Sequence, residues 1–132
     1  GSEMCIRDRI KAVRASGGDA ACPPLMADKA VSQLLSREGL SYEDIDTFEY
    51  NEAFAVITAD FMKRHPSVKE RLNRWGGALA YGHPYGASGA EIMIHLMAIL
   101  QQKNGRYGVC AIPAAGGVAE AILIENKMGR DV

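Results

Sequence analysis

Several common sequence signals are missing from this chain of 132 residues. Its 15 basic and 16 acidic side chains give a net charge of −1, and no stretch concentrates charge of one sign. This balance argues against a nucleic-acid-binding protein and against a membrane-surface protein. The longest apolar run, residues 92–100, is interrupted by His95 and is too short to cross a bilayer. We therefore expect a small molecule or another protein as the partner, and neither nucleic acid nor membrane.

Cysteine is scarce as well. Cys5, Cys22 and Cys110 have neither the spacing of a disulfide framework nor that of a metal site. A reducing, cytoplasmic setting without a metal is the expectation that follows. Internal repeats and low-complexity stretches are also missing, and 48% hydrophobic residues suffice for one compact core. One domain is predicted.

The two ends of the sequence are set apart from this domain. Met4 to Arg9 looks like the translation of a transposon adaptor used in DNA library preparation, so we interpret residues 1–9 as non-native. A short polar lead-in to the first strand is the alternative. The domain is assigned to residues 10–126, and residues 127–132 form a polar tail.

Hydrophobic patterning predicts an α/β domain with helices on both faces of a sheet. Strands are expected at residues 10–15 and 47–50, and a hairpin at 107–112 and 118–124. One helix should start at Pro23-Pro24 and end at Gly39, with Ala27, Val31, Leu34 and Leu35 on its apolar face. A second, starting at Glu52, is apolar on almost every side, which predicts burial of Phe54, Ile57 and Phe61.

The stretch from residue 76 to 90 is not explained by core formation. It packs five glycines and a proline around His83, and an apolar helix follows. Glycines let the backbone bend tightly and approach a bound group closely. This stretch is typical of a site loop. Neither of the other two histidines is expected to be catalytic: His65 should be solvated on a polar loop, and His95 should be packed or capped on its helix.

Asn51 and His83 are the candidate functional side chains. Each stands at the end of a predicted element, where polar groups from different segments can converge. A histidine can tune a nucleophile or stabilise a developing oxyanion, and an asparagine can hold a water or a carbonyl oxygen. Taken singly, Asn51 could instead cap a helix and His83 could be an ordinary loop residue.

Three segments, in this order, closely resemble the C-terminal half of thiolases. They are Asn51-Glu52-Ala53-Phe54-Ala55, then Gly76-Gly77-Ala78 leading to Gly82-His83-Pro84 and Gly86-Ala87-Ser88-Gly89-Ala90, and finally Ala114-Ala115-Gly116-Gly117 with Glu125. The resemblance runs from about residue 10 to residue 125. It implies a thiolase-fold half, with a mixed sheet of about four or five strands, helices on both faces and one helix buried.

The resemblance also implies acyl transfer between coenzyme A thioesters, with no bound cofactor. In thiolases the histidine at the position of His83 activates the nucleophile and helps stabilise the thioester oxygen, and the asparagine at Asn51 holds a water there. Ala53 and Phe54 would lie near the pantetheine arm, and the Ala115 N–H would belong to a second oxyanion hole. Preorganised donors of this kind contribute about 3 to 4 kcal/mol each.

Two departures from the thiolase pattern limit what this chain can do. The nucleophilic cysteine of thiolases lies in an N-terminal half, and neither Cys5 nor Cys22 stands in its motif, so this chain alone should not form an acyl-enzyme. The family's acid–base cysteine falls at Pro113, which has no ionisable group. Cys110 lies three residues earlier, an odd offset that directs it to the opposite face of a regular strand unless a bulge intervenes.

Pro113 leaves three possibilities: a base elsewhere, a non-catalytic homologue, or an enzyme limited to steps without deprotonation at carbon. Our leading interpretation is the truncated C-terminal half of a thiolase-like acyltransferase, paired with a missing N-terminal domain and oligomeric as full-length thiolases are. The alternative is a non-catalytic subunit or split half that needs a partner chain. An unrelated phosphate-binding loop is disfavoured, because the P-loop ending and the dinucleotide spacing are both lacking.

Overall fold

The computed structural model describes residues 8–128. The strands are β1 (Asp8–Gly17), β2 (Thr47–Tyr50), β3 (Tyr107–Ala114) and β4 (Val118–Asn126). The helices are α1 (Met26–Glu38), α2 (Ala55–Arg64), α3 (Ala78–Tyr81) and α4 (Ser88–Lys103). Most of the segment interpreted as adaptor, and most of the proposed tail, lie outside the described residues. Asp8 and Arg9 are within β1, where the Arg9 guanidinium pairs with the Glu125 carboxylate.

The sheet has four strands in the order β1-β4-β3-β2. Strands β2 and β3 are parallel, whereas β3 with β4 and β4 with β1 are antiparallel. The predicted mixed sheet and the predicted hairpin are therefore confirmed. Strand β1 is longer than expected, and its register with β4 shifts between Ile10 and Ala12.

Helices cover both faces of this sheet, as predicted. On one face α1 buries the expected side chains Ala27, Val31, Leu34 and Leu35, and Gly39 ends it in a left-handed conformation. On the other face α4 buries Ile92, Leu96 and Leu100 against Cys110 and Ile124. No helix within residues 8–128 is long and apolar enough to cross a membrane.

Helix α2 differs from its prediction. It starts at Ala55 rather than Glu52, and it buries only Ile57, Thr58 and Phe61. Phe54 is 66% exposed, so its predicted burial is wrong, while the predictions for Ile57 and Phe61 are right. The reason is local: Phe54 precedes the helix in an extended conformation, with φ −137° and ψ 141°, and does not share the buried helical face.

His65 also differs from its prediction, because it is not simply solvated. Its Nε2 lies 3.0 and 3.1 Å from the two carboxylate oxygens of Asp28, and its ring stacks on Tyr42 with centroids 3.8 Å apart. The hydroxyls of Tyr42 and Tyr50 donate to Asp28 Oδ1 at 2.9 and 3.1 Å. Burial, together with the Asp28 charge, raises the pKa of both phenols well above the usual range.

Candidate functional site

A cleft of about 780 Å³ opens where the parallel strands β2 and β3 end. Carboxyl ends of parallel strands are a common place for ligands in α/β sheets, since loops diverge there. The lining combines apolar side chains with one amide and one imidazole, and includes Pro23, Pro24, Asn51, Ala53, Phe54, Ile57, His83, Tyr85, Ile112, Pro113, Ala114 and Ala115. All the candidate site residues predicted from the sequence line this cleft.

Asn51 is held firmly at the end of β2. Its N–H donates to the Ala111 carbonyl oxygen at 2.9 Å, which extends the pairing with β3 by one residue. Just before it, the Asn73 side chain accepts from the Tyr50 N–H at 2.9 Å and donates to the Tyr50 carbonyl at 3.1 Å. Asn51 is only 2% exposed. It does not cap α2, because Phe54 occupies the cap position.

His83 follows α3 and enters the cleft from the glycine-rich loop. Gly82, just before it, has φ +98°, a conformation that suits glycine and turns the chain out of the short helix. The His83 Nδ1 lies 2.6 Å from Ser88 Oγ and 3.5 Å from Asn51 Nδ2. The predicted convergence of Asn51 and His83 in one cleft is therefore confirmed.

The hairpin turn between β3 and β4 brings Ala115 to the same cleft. Gly117 in this turn has φ +75°, and a Cβ there would lie 2.7 Å from the backbone of Asp19 and Ala20. Only glycine allows the turn to pack this closely on the preceding loop. The loop before Pro23 and the turn carrying Ala115 are thus fixed against each other.

One wall of the cleft is apolar. Ala53 is half-buried and packs against the core, whereas Phe54 presents an open aromatic face to the cleft. Tyr85 is 87% exposed, and its ring meets the His83 ring edge-on at a centroid distance of 4.8 Å. Such a surface suits the flexible, weakly polar chain of a ligand better than a charged group.

Pro113 and Cys110 lie on opposite faces of β3. The register between β3 and β4 runs without a bulge from Tyr107 to Ala114, so side chains alternate as expected. Pro113 lines the cleft, while Cys110 is buried against α4. Burial, with a smaller contribution from Glu49, raises the pKa of the Cys110 thiol to about 12. Cys110 is a core residue, as predicted.

The cleft contains a limited chemical inventory. Within residues 8–128 its lining includes no cysteine, and His83 and Tyr85 are its titratable side chains. That same part of the chain contains no group of three His, Cys, Asp or Glu residues that could hold a metal ion. The site can accept or donate a proton at His83 and can donate hydrogen bonds to an oxygen, but the described residues supply no nucleophilic thiol.

Sequence reasoning missed three contributors to this site. Ser88 lies within a recognised motif, yet only the structure reveals its contact with His83. Tyr85 could have been identified from the sequence, because an aromatic residue inside a glycine-rich loop suggests a ligand contact. Asn73 gave no such signal, because its pairing with Tyr50 joins segments 23 residues apart in a polar stretch.

Comparisons with known proteins identify the family of this domain. Residues 5–126 match the family model described as thiolase, C-terminal domain. The chain is 42% identical over 96 residues to acetyl-CoA acetyltransferase 1 of Arabidopsis thaliana, covering 73% of this chain and 23% of that protein. It is 41% identical over 97 residues to the cytosolic acetyl-CoA acetyltransferase of Rattus norvegicus, covering 74% and 24%. The match thus spans about a quarter of these relatives' length.

Solved structures give the same result. Acat5 thiolase from Ascaris suum, in complex with coenzyme A, superposes with a TM-score of 0.84 at 40% identity, covering 90% of this chain and 31% of that one. Human mitochondrial 3-ketoacyl-CoA thiolase gives a TM-score of 0.86 at 34% identity, covering 91% and 30%.

Proposed function

The chain belongs to the thiolase family, as a match to its C-terminal domain, and from this premise we propose that it supplies half of an acyl-transfer site for coenzyme A thioesters. One observation carries the proposal: Asn51 and His83 converge, 3.5 Å apart, on an apolar cleft at the carboxyl ends of β2 and β3. Relatives named acetyl-CoA acetyltransferase and a similar structure in complex with coenzyme A support the substrate class.

In this proposal a cysteine from another segment or another chain is the nucleophile. His83 Nε2 accepts the thiol proton, and the resulting thiolate attacks the carbonyl carbon of the thioester. Negative charge develops on the carbonyl oxygen, where His83 and a water held by Asn51 donate hydrogen bonds. The bond to the coenzyme A sulfur then breaks, that sulfur takes the proton back from His83, and the acyl group remains on the cysteine.

The pantetheine arm would lie along Ala53 and Phe54. The exposed Phe54 ring supports this, because an aromatic side chain with 66% of its surface open loses water when an apolar chain covers it. The Ala115 N–H is proposed as a donor to the second oxyanion, at the turn that Gly117 fixes in place. A cytoplasmic setting and a homo-oligomeric full-length protein are part of the same proposal, and the cytosolic rat relative supports the former.

Pro113 favours a second candidate, a thiolase-fold subunit without carbon–carbon chemistry. Acyl exchange between a thioester and coenzyme A needs the nucleophile, His83 and the oxyanion donors, but no acid or base at the substrate α-carbon. Cleavage or formation of a carbon–carbon bond also needs an acid or base at the substrate α-carbon, and Pro113 offers none. Acyl exchange and carbon–carbon bond cleavage therefore distinguish an enzyme with the full thiolase reaction from a subunit without carbon–carbon chemistry.

The experiment uses the protein together with the segment that supplies the nucleophilic cysteine, either as one longer chain or as a two-chain complex. Exchange of labelled coenzyme A into acetyl-CoA is measured beside thiolysis of acetoacetyl-CoA, in the wild type and in Pro113→Cys. We expect exchange in both proteins and faster thiolysis in Pro113→Cys. Both reactions pass through the same acyl-cysteine, so thiolysis without exchange would contradict the proposed route. The absence of both reactions would favour the non-catalytic subunit.

A further inference from the structure

Ser88 contacts the Nδ1 side of the His83 imidazole ring. It is the first residue of α4, is 3% exposed, and its Oγ lies 2.6 Å from His83 Nδ1. A contact of this length is at the short end for a hydrogen bond between a ring nitrogen and a hydroxyl. The second ring nitrogen, on the opposite side of the imidazole, is Nε2.

The proposed function makes a demand on Nδ1. If Nε2 is to accept a proton from a thiol, the neutral ring must carry its own proton on Nδ1. That N–H needs an acceptor, because an unpaired buried donor is costly. Among the described residues, the side-chain hydrogen-bond partners of Nδ1 are Ser88 Oγ at 2.6 Å and Asn51 Nδ2 at 3.5 Å, and of these two only the hydroxyl oxygen can accept.

We propose that Ser88 is a positioning residue that accepts a hydrogen bond from His83 Nδ1–H and so holds the neutral ring in the tautomer whose Nε2 lone pair faces the cleft. This inference rests on the proposed function for its direction. The same hydrogen bond persists when His83 gains a second proton, so the ring keeps its orientation through the whole proton transfer. Asn51, at 3.5 Å, is too distant to compete for Nδ1 and remains available to a water in the cleft.

Tautomers are measured directly by long-range correlations between the ring protons and nitrogens in nuclear magnetic resonance. The chain contains three histidines, and a His83→Gln variant identifies the signals of His83. Among neutral rings, the wild type should show mainly the Nδ1–H form. Free imidazole side chains favour the opposite tautomer, so this result does not arise by default.

Ser88→Ala removes the acceptor and leaves a smaller side chain that the fold can accommodate. We expect the ratio of Nδ1–H to Nε2–H to fall by about tenfold, the population change that one lost hydrogen bond produces. Ser88→Thr keeps the hydroxyl and should restore the ratio, while Ser36→Ala, at an exposed position on α1, should leave it unchanged.

Two results would overturn the inference: a wild-type ring mainly in the Nε2–H form, or a ratio that Ser88→Ala does not alter. Neither readout requires activity. If the tautomer behaves as expected but acyl exchange is absent when the nucleophile is supplied, the proposed function fails while the hydrogen bond from His83 to Ser88 stands.

Discussion

Two histidines in this domain have similar partners and opposite surroundings. His65 and His83 each place a ring nitrogen within about 3 Å of a side-chain oxygen, from Asp28 and Ser88 respectively. The Asp28 carboxylate beside His65 also accepts hydrogen bonds from two tyrosine hydroxyls, and the His65 ring is stacked on Tyr42. We call this network closed, because its members bond to one another. The His83 ring is bonded on one side and stands at an open cleft on the other. A closed network stabilises a fold, whereas an open one leaves a nitrogen free for chemistry.

The largest expected effect is on stability, from a substitution next to the closed network around His65. Phe61 is fully buried and its ring lies 4.9 to 5.0 Å from the rings of Phe48, Tyr50 and His65. Phe61→Ala should therefore lower the free energy of unfolding by about 3 to 5 kcal/mol through lost packing and a new cavity. Urea denaturation measures this. The control is Phe54→Ala, which changes an exposed ring and should cost about 0.5 kcal/mol or less; equal losses would contradict the assigned burial.

The open side should respond in activity rather than in stability. Asn51→Ala removes the amide proposed to hold the water at the thioester oxygen, so acyl exchange should fall by about 100-fold while the melting temperature changes little. Exchange of labelled coenzyme A in the protein supplied with its nucleophile is the measurement. Gln102→Ala, at an exposed position on α4, serves as the control. A parallel loss of stability and activity would assign Asn51 to the fold instead.

Glu49 differs from both histidines, because within residues 8–128 its carboxylate neither joins a hydrogen-bond network nor lines the cleft. Both carboxylate oxygens of Glu49 are buried without a hydrogen-bond partner among the described residues, and burial raises its pKa from 4.5 to about 8. Because the folded state binds the proton more tightly, stability should fall as pH rises from about 4.5 to 8, by at most about 1.4 kcal/mol per pH unit.

Glu49→Gln should remove this fall in stability, since an amide does not titrate. Denaturation at a series of pH values compares the two proteins, and Glu70→Gln, on the exposed surface, is the control. A wild-type protein whose stability is flat across the window would mean that Glu49 finds a partner when it ionises.

The smallest effect tests one contact of the closed network. Tyr42→Phe removes a hydroxyl that donates to Asp28 at 2.9 Å but keeps the stacked ring. We expect a loss of about 1.5 to 3 kcal/mol, the usual range for a hydrogen bond to a charged acceptor. Thermal unfolding followed by calorimetry measures it, with Tyr85→Phe at an 87% exposed position as the control. No difference between the two variants would remove Tyr42 from the network.

Most of the fold was accessible from the sequence because its signals are local. The apolar face of α1, its stop at Gly39 and the β3–β4 hairpin follow from periodicity and turn residues. The offset between Cys110 and Pro113 predicted opposite faces, and the unbroken register of β3 confirms it. Phe54 was misplaced because α2 begins at Ala55, three residues after its predicted start at Glu52, and helix starts are poorly marked by hydrophobicity alone.

The site was only partly accessible. The family motifs place Asn51 and His83 in one site, and the structure brings both to one cleft, but their chemical roles remain predictions. His65 was misread because its partners Asp28 and Tyr42 lie 37 and 23 residues away in the sequence, and long-range pairing leaves no periodic trace. Asn73 was missed for the same reason, because its partner Tyr50 is 23 residues away. Ser88 is only five residues from His83, but periodicity does not show how the loop between them folds the two side chains together.

We propose that His83 serves a reaction in the open cleft and not the stability of the fold. The most direct test is acyl exchange between acetyl-CoA and labelled coenzyme A in the protein supplied with its nucleophile, comparing the wild type with His83→Gln. We predict a loss of at least about 100-fold in exchange with an unchanged melting temperature. Undiminished exchange in His83→Gln would contradict the proposed role of His83.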